Sequence, residues 1–290
     1  MKHFIDPQVD CVFKAILGSE NNKPVLMSFL NAIVKPDFPI VSVEILNPYN
    51  EREFVGDKLS IVDIKARDER NRLYQIEIQL ALFSHLPARM LYTWSDIYSA
   101  QLQEGENYTS LNPVISIWLL ADTLFAETPV AHHLFQIADI RQQKILNDHC
   151  ALHVLELNKW RTVEPLTAED QWMLFFRDAK HWSELPDRLN LPELKQAMAT
   201  LHRFSDKERD YHLYQARQNA LREQNTQQEL LEEALRKQEE ERQAKEMAQR
   251  AEEKERQAKE VERQAKEAAL SEVERLRALM KQSGMDPDSH

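Results

Sequence analysis

With 290 residues, 42% of them apolar and 8% aromatic, the chain has room for one compact domain with a real core plus an extension. Its net charge of −11 is unlike that of a nucleic-acid binder, its two cysteines exclude a disulfide framework and a cysteine zinc site, and its four glycines, at 18, 56, 105 and 284, exclude a Rossmann fingerprint and a P-loop. No apolar leader follows Met1, and the longest apolar run, Val114 to Ala121, is far short of the ~20 residues a membrane helix needs, so the expectation is a cytoplasmic protein with no membrane partner.

Asp6-Pro7 leads into Asp10-Cys-Val-Phe13-Lys14, where Phe13, Ile16 and Leu17 share one helical face. Asp10 is a favourable charge in a first helical turn or a helix-borne acid of a site. Lys14 is a solvated lysine or a phosphate contact. A second helix is expected from about Lys23 to Val34, with Leu26, Phe29, Leu30 and Ile33 at helical spacing and Lys35-Pro36 ending it. Pro39 to Asn47 alternates apolar and polar residues and reads as the first strand. Pro48 to Asp57 is a polar connection.

Lys58 to Leu80 carries two alternating apolar runs around the polar segment Asp68 to Asn71, the pattern of a β-hairpin. On its second strand Leu73, Gln75, Glu77 and Gln79 point one way, and Tyr74, Ile76, Ile78 and Leu80 form an apolar wall behind. On the first, Asp63 lies among Leu59, Ile61, Val62 and Ile64, where a free charge is expensive to bury. If the loop is odd and centred on Arg70, residues whose numbers sum to 140 face each other and Asp63 lies opposite Glu77 with Cβ atoms roughly 5 Å apart; an even loop would put the two on opposite faces of the sheet. Two carboxylates so close repel unless a cation lies between them, and Mg²⁺ takes carboxylate oxygens, carbonyls and waters. The alternative is a salt-bridged surface hairpin with Lys65 and Arg72 as partners.

Ser84 to Glu104 reads as a long helix, with Pro87 in its first turn, Gly105 just past its end, and a buried stripe of Leu91, Trp94, Ile97, Tyr98 and Leu102. On it, Arg89 either binds a phosphate with its fork of donors or pairs with Asp96 or the neighbourhood of Glu104. Val114 to Leu120 is a strand, and Ala131 to Ile140 and Cys150 to Leu157 add two β segments. His132, His133, His149 and His153 are not spaced as a metal motif and read as ordinary polar positions. Asp170 to Phe176 and Leu191 to Leu201 are helical and apolar on one side.

Beyond Tyr214 the composition shifts to Gln, Glu, Ala, Lys and Arg, with no glycine or proline before Gly284. Glu-Arg-Gln-Ala-Lys-Glu recurs at 241, 255 and 262, Ala244, Ala251, Ala258 and Ala265 keep a period of seven, and Met247, Lys254, Val261 and Ala268 fill the second core position. Residues from about Gln215 to Gln282 should form one helix of roughly 100 Å. Its weak seam, firmer at Leu270, Val273, Leu276 and Leu279, suggests a homodimer. The stretch Asp206 to Ser283 holds 17 basic and 19 acidic residues, so most of the acidity belongs to the head.

Asp63, a gap, and Glu77-x-Gln79 resemble the PD-(D/E)XK nuclease motif. Ile61-Val62-Asp63 with Glu77-Ile78-Gln79 resembles its Rpn branch, the recombination-promoting nucleases and transposase-like proteins, in which Gln commonly stands where most PD-(D/E)XK enzymes carry Lys. The opening Asp10-x-x-Phe13-Lys14, the Arg89-x-x-Tyr92 pattern with the later Tyr98, and Leu155-Glu156-Leu157-Asn158-Lys159-Trp160 match further stretches of that branch, with Asn158 in a proline position. The resemblance covers roughly residues 6 to 215. It implies an α/β PD-(D/E)XK restriction-endonuclease-like core, α-β-β-β-α-β, followed by a helical region and the long C-terminal helix or coiled coil. The expected divisions are 1–160, 161–214, 215–283 and a disordered tail at 284–290. It implies a metal-dependent DNA endonuclease linked to recombination or transposition. Asp63, Glu77 and the Ile78 carbonyl would hold Mg²⁺ or Mn²⁺, Gln79 would orient a water, and Asp10, Lys14, Arg89 and Tyr92 would be accessory. The alternative is an inactive nuclease fold kept as a DNA-binding or protein-interaction module organised by a coiled coil.

Overall fold

The computed structural model describes residues 4–47, 64–80, 82–206 and 208–282. The chain divides into two compact units, Met1–Glu223 and Gln224–His290. The tail at 284–290, like Asp63, lies outside the described residues.

Two helices open the first unit, α1 (Asp10–Leu17) and α2 (Lys23–Val34). Both bury the faces their spacing defines, Phe13, Ile16 and Leu17 on one and Leu26, Phe29, Leu30 and Ile33 on the other. They are followed by β1 (Val43–Ile45), β2 (Ile64–Asp68), β3 (Leu73–Gln79), α3 (Leu86–Ser99), β4 (Val114–Leu120), β5 (His132–Phe135), β6 (Ala138–Asp139), β7 (Lys144–Ile145) and β8 (Cys150–Glu156). The helices α4 (Ala168–Asp178), α5 (Pro192–Asp206) and α6 (Glu208–Gln282) complete the chain. The first strand is shorter than the alternation suggested, since only residues 43–45 of 39–47 pair, with Asp68, Arg67 and Ala66.

The main sheet has the order β1-β2-β3-β4-β8-β5. β1, β2 and β3 are antiparallel neighbours, β4 and β8 run parallel to β3, and β5 closes the far edge antiparallel to β8. The unbroken apolar run of β4 suits a central parallel strand, buried on both faces. The crossover from β3 to β4 passes through α3, as a parallel connection requires. One face of the sheet packs on α1, α2, α4 and α5 in the main core, with Trp172, Phe175, Phe176, Phe29 and Phe13 in edge and stacked contact. A smaller core of Leu86, Met90, Trp118, Leu120 and Val154 lies on the other face, under α3.

The helix α3 is shorter than expected, and its buried stripe is different. It ends at Ser99 with Ala100 as cap, so Gly105, at φ +87°, serves a later turn. Leu86 and Met90 are its buried residues and Leu91 is exposed. Arg89, Met90, Thr93, Trp94, Ile97 and Tyr98 are the positions turned at least partly inward after Leu86, a 3- and 4-residue rhythm that passes Leu91 by.

On the main-core face the sheet edge is fastened by a polar chain. Lys35, the left-handed cap of α2, donates to Glu169 Oε2 at 2.5 Å. Glu169 Oε1 meets His132 Nδ1 at 2.5 Å, and His132 Nε2 meets His153 Nδ1 at 2.9 Å. The chain ties α2, α4, β5 and β8 together. Burial would raise the Glu169 carboxyl, but the bonds from His132 and Lys35 hold it below the usual range. Burial, helped by His132 and Lys35 and opposed by Glu169, lowers His153 from 6.5 to about 4. A histidine whose pKa is lower folded than unfolded contributes stability in its neutral form, whole above pH 6.5 and lost as pH falls from 6.5 toward 4. Between pH 7 and 4.5 the protein should therefore lose about 2–3 kcal/mol through this group. Urea titrations at the two pH values check it: His153→Gln should lose correspondingly less, and an equal loss in both proteins would show that His153 does not titrate in this way.

The second unit is described by the helix alone. The helix α6 runs without a break to Gln282. Its exposed face carries i,i+4 pairs such as Glu233–Lys237, Glu255–Lys259 and Glu262–Lys266, which support a helix by themselves.

Candidate active site

The site grows from the β2–β3 hairpin, whose register is set by its turn. The Asp68 amide donates to the Arg72 carbonyl at 3.1 Å, and the Asn71 amide to the Asp68 carbonyl at 3.1 Å. Asn71 takes a left-handed φ of 61°, a conformation that asparagine tolerates. The Asp68 carboxylate, fully buried, caps the turn by accepting from the Arg70 and Arg72 amides at 2.9 Å each, and from Arg72 Nε and the Tyr74 hydroxyl at 2.6 and 2.8 Å. Three residues, 69–71, therefore make an odd loop centred on Arg70. The pairs Arg67↔Leu73, Ala66↔Tyr74, Lys65↔Gln75 and Ile64↔Ile76 follow, each summing to 140. Of the two basic residues expected to pair within the hairpin, Arg72 is engaged with Asp68 in its turn.

Both faces of β3 are buried, which differs from an open polar face with an apolar wall behind. On the face under α3, Gln75, Glu77 and Gln79 lie beside Ser116, Trp118 and Leu120 of β4. Trp118 Nε1 donates to Ser116 Oγ at 2.9 Å, which donates to Gln75 Oε1 at 3.1 Å. Next in the row, Glu77 is 4% exposed and forms an ion pair with Arg89, and Arg89 Nη1 donates to Gln79 Oε1 at 3.1 Å. The guanidinium also lies 5.5 Å from the Trp118 ring centroid. Arg89 thus reaches Glu77 and Gln79 of the strand rather than Asp96 or Glu104. A carboxylate oxygen and an amide oxygen converge on one cation, a donor set that also fits a hard metal ion. Among the described residues no group of three His, Cys, Asp or Glu side chains is arranged to hold a metal.

The Gln79 carbonyl accepts from the Ala121 amide at 3.1 Å and the Leu73 amide donates to the Pro113 carbonyl at 2.9 Å, both on the β4 side. Carbonyls alternate along a strand, so the Ile78 carbonyl points to the β2 side. Lys14 stands on α1, which packs with Ile64 and Ile76 in the main core, on the face of the sheet away from Glu77 and Gln79. A Cβ on Gly18 would stand 2.8 Å from the Lys14 carbonyl, 3.2 Å from Lys14 Cγ and 3.3 Å from Ile64 Cγ1. The missing side chain at Gly18 lets the end of α1 close on the start of β2, and brings the Lys14 stem with it. Asp10 stands in the first turn of α1, with Arg217 Nε 3.8 Å away. Burial raises its carboxyl, and Arg217 and the Cys11 amide oppose that. Tyr92, one turn beyond Arg89, is exposed, and the Tyr98 hydroxyl meets His149 Nδ1 at 2.9 Å.

Glu156, at the end of β8 on the same face, has a buried carboxylate with four donors. Oε1 accepts from the Leu124 and Phe125 amides at 2.5 and 3.0 Å, and Oε2 from Lys159 Nζ and His133 Nε2 at 2.7 and 3.2 Å. Asn158 Nδ2 binds Asp122 and Thr123, and Trp160 Nε1 donates to Asp170 Oδ1 at 2.9 Å. The Glu156–Trp160 stretch thus fastens the loop after β4 beside the site. Both cysteines are free and buried; burial pushes the Cys11 thiol far up, so it is inert.

A mixed sheet with a buried carboxylate and an amide on the strand that enters a crossover helix, met there by a cation, is consistent with a PD-(D/E)XK-like nuclease fold. The chain belongs to the family described as PD-(D/E)XK nuclease family transposase, which matches residues 7–230. Neither curated proteins nor solved structures give a match. No helix among the described residues is long and apolar enough to cross a membrane.

Proposed function

We propose that this protein is a Mg²⁺- or Mn²⁺-dependent DNA endonuclease acting in the cytoplasm in recombination or transposition. The observation that carries the reading is the hairpin register. The described pairs sum to 140 as far as Ile64↔Ile76, and the same sum would bring the next residue, Asp63, opposite Glu77, where two carboxylates would call for a cation. Asp63, Glu77 and the Ile78 carbonyl would hold the ion, which when bound supplies an activated water and charge stabilisation at the phosphate. Gln79 orients that water; its amide does not titrate, so it cannot take the proton. Arg89 offers donors to phosphate oxygens, and Asp10, Lys14 and Tyr92 stay at the margin. The test is nicking of supercoiled DNA by the purified protein with Mg²⁺ or Mn²⁺, lost in Asp63→Ala and in Glu77→Ala. Wild-type rates in both variants would sink the assignment.

One observation favours a second reading, a nuclease fold kept as a DNA-binding or protein-interaction module: the Arg89–Glu77 ion pair already neutralises the acid. Calorimetry with Mn²⁺ separates the two, since such a module takes up no ion.

The heptad seam of α6 supplies the oligomer. Met247, Val261, Leu270, Val273, Leu276 and Leu279 are exposed on the single helix, which a parallel or antiparallel second copy would cover. Sedimentation should show a dimer at micromolar concentration, and a monomer after truncation beyond Glu223. A full-length monomer would leave the helix solvated and single.

A further inference from the structure

Between β5 and β8 the chain leaves the sheet as an arm. The Leu146 amide donates to the Ile137 carbonyl at 2.9 Å, Ala138 pairs with Ile145, and Asp139 with Lys144. Asp139 Oδ1 accepts from the Arg141 and Gln142 amides at 2.9 and 3.2 Å, and Gln143 takes a φ of 52°. The tip is therefore a closed, capped turn. Every residue from 134 to 148 is exposed. A lone two-stranded hairpin is marginal in water, yet this one holds Ile137, Ile140, Ile145 and Leu146 at its surface, Ile140 at 91% exposure. Aliphatics presented together on a projection mark a contact surface.

The tip selects the partner. Ile140-Arg141-Gln142-Gln143-Lys144 presents an apolar wedge, two amides and two cations. The one acid beside them, Asp139, is turned into the arm's own backbone. On a chain of net charge −11 this is a cationic projection. Arginine and glutamine hydrogen-bond base edges, lysine neutralises phosphate, and an aliphatic wedge enters a base step. Two-stranded ribbons fit a DNA groove. The root of the arm lies beside the strand that carries the site: Phe135 pairs with Leu152, Leu152 with Ser116, and Ser116 with Gln75, two residues before Glu77, and the antiparallel run of β5 sends the arm out past the N-terminal end of β3. Three strand spacings separate β5 from β3, about 14 Å at ~4.8 Å each. A duplex with a phosphate at Glu77 would run within reach of such an arm.

We propose that the arm Ile137–Leu146 is a duplex-DNA groove contact, in which Arg141, Gln142, Gln143 and Lys144 hold the groove and Ile140 wedges a base step. The inference rests on the DNA reading given above. The test uses the full-length Glu77→Gln protein, which binds without cutting, and a mixed-sequence duplex of about 30 base pairs with a donor–acceptor dye pair at its ends. Arg141→Ala with Lys144→Ala should weaken binding at least tenfold and lower the salt slope by about 1. Ile140→Ser should bind but no longer shorten the end-to-end distance. Melting temperatures equal to the parent's would show that these exposed changes leave the fold intact. If the parent binds duplex and the variants bind and bend it equally, the arm inference falls and the DNA reading stands; if the parent binds no DNA, both fall. A change in sedimentation with Ile140→Ser, with DNA binding unaltered, would assign the arm to a protein partner and overturn the proposal.

Discussion

Glu77→Gln should reduce metal-dependent DNA cleavage by about 10³-fold or more while the protein stays folded. The substitution keeps shape and volume and removes only charge and one strong acceptor. A metal ligand lost at a phosphoryl site removes several kcal/mol of transition-state stabilisation, and each 1.36 kcal/mol is about tenfold in rate. The fold should tolerate it because Glu77 stands on a strand fixed on both sides, by the register with β2 and by the seven-residue pairing with β4. Glutamine can still accept from Arg89 through its amide oxygen. Asp63→Ala should cost as much. Residual cleavage within tenfold of wild type in both variants, from protein purified in parallel, would place the chemistry elsewhere.

The hairpin register was legible in the sequence because its cause is local. Asp68, an odd loop and an asparagine able to take left-handed backbone lie within four residues of one another, and alternation does the rest. The helices α1 and α2 and the strand β4 were legible for the same reason, each being a run of one period. What sequence could not show is contact between elements far apart along the chain. Arg89 is twelve residues from Glu77 and on a helix, so its partner depends on how α3 lies across the sheet. His132 and His153 are read as two unrelated polar residues until β5 and β8 pair and set them side by side. The stripe on α3 was misjudged at both ends, since Leu91 is apolar enough to belong and only packing leaves it out, and Leu102 lies beyond the helix end at Ser99. Ser116, alone in the apolar run of β4, was the signal of a polar partner across the sheet, and Gln75 is that partner. The first half of the arm was hidden because Ala131 to Ile140 is apolar enough to read as one strand, whereas β5 ends at Phe135 and residues 134–140 are exposed.

Arg89→Ala should destabilise the metal-free protein by about 3–5 kcal/mol, and a divalent ion should restore most of that loss. Removing one member of a buried pair leaves an uncompensated charge, which is more costly than the pair itself is favourable. The Glu77 side chain is 5% exposed and that of Arg89 24%, so solvent does little to screen the pair. In wild type an incoming ion must displace the guanidinium from the Glu77 and Gln79 oxygens; in the variant it meets those oxygens already released. Mn²⁺ or Ca²⁺ should therefore raise the melting temperature of Arg89→Ala more than that of wild type and bind it more tightly by calorimetry. On the reading proposed above cleavage should nonetheless fall, because the displaced guanidinium would be the donor to a phosphate oxygen. Arg89→Lys, which keeps charge but not the fork that spans two acceptors, should lie between the two in both stability and ion affinity. An Arg89→Ala protein as stable as wild type, with unchanged ion affinity, would show that Arg89 neither balances Glu77 nor competes for its site.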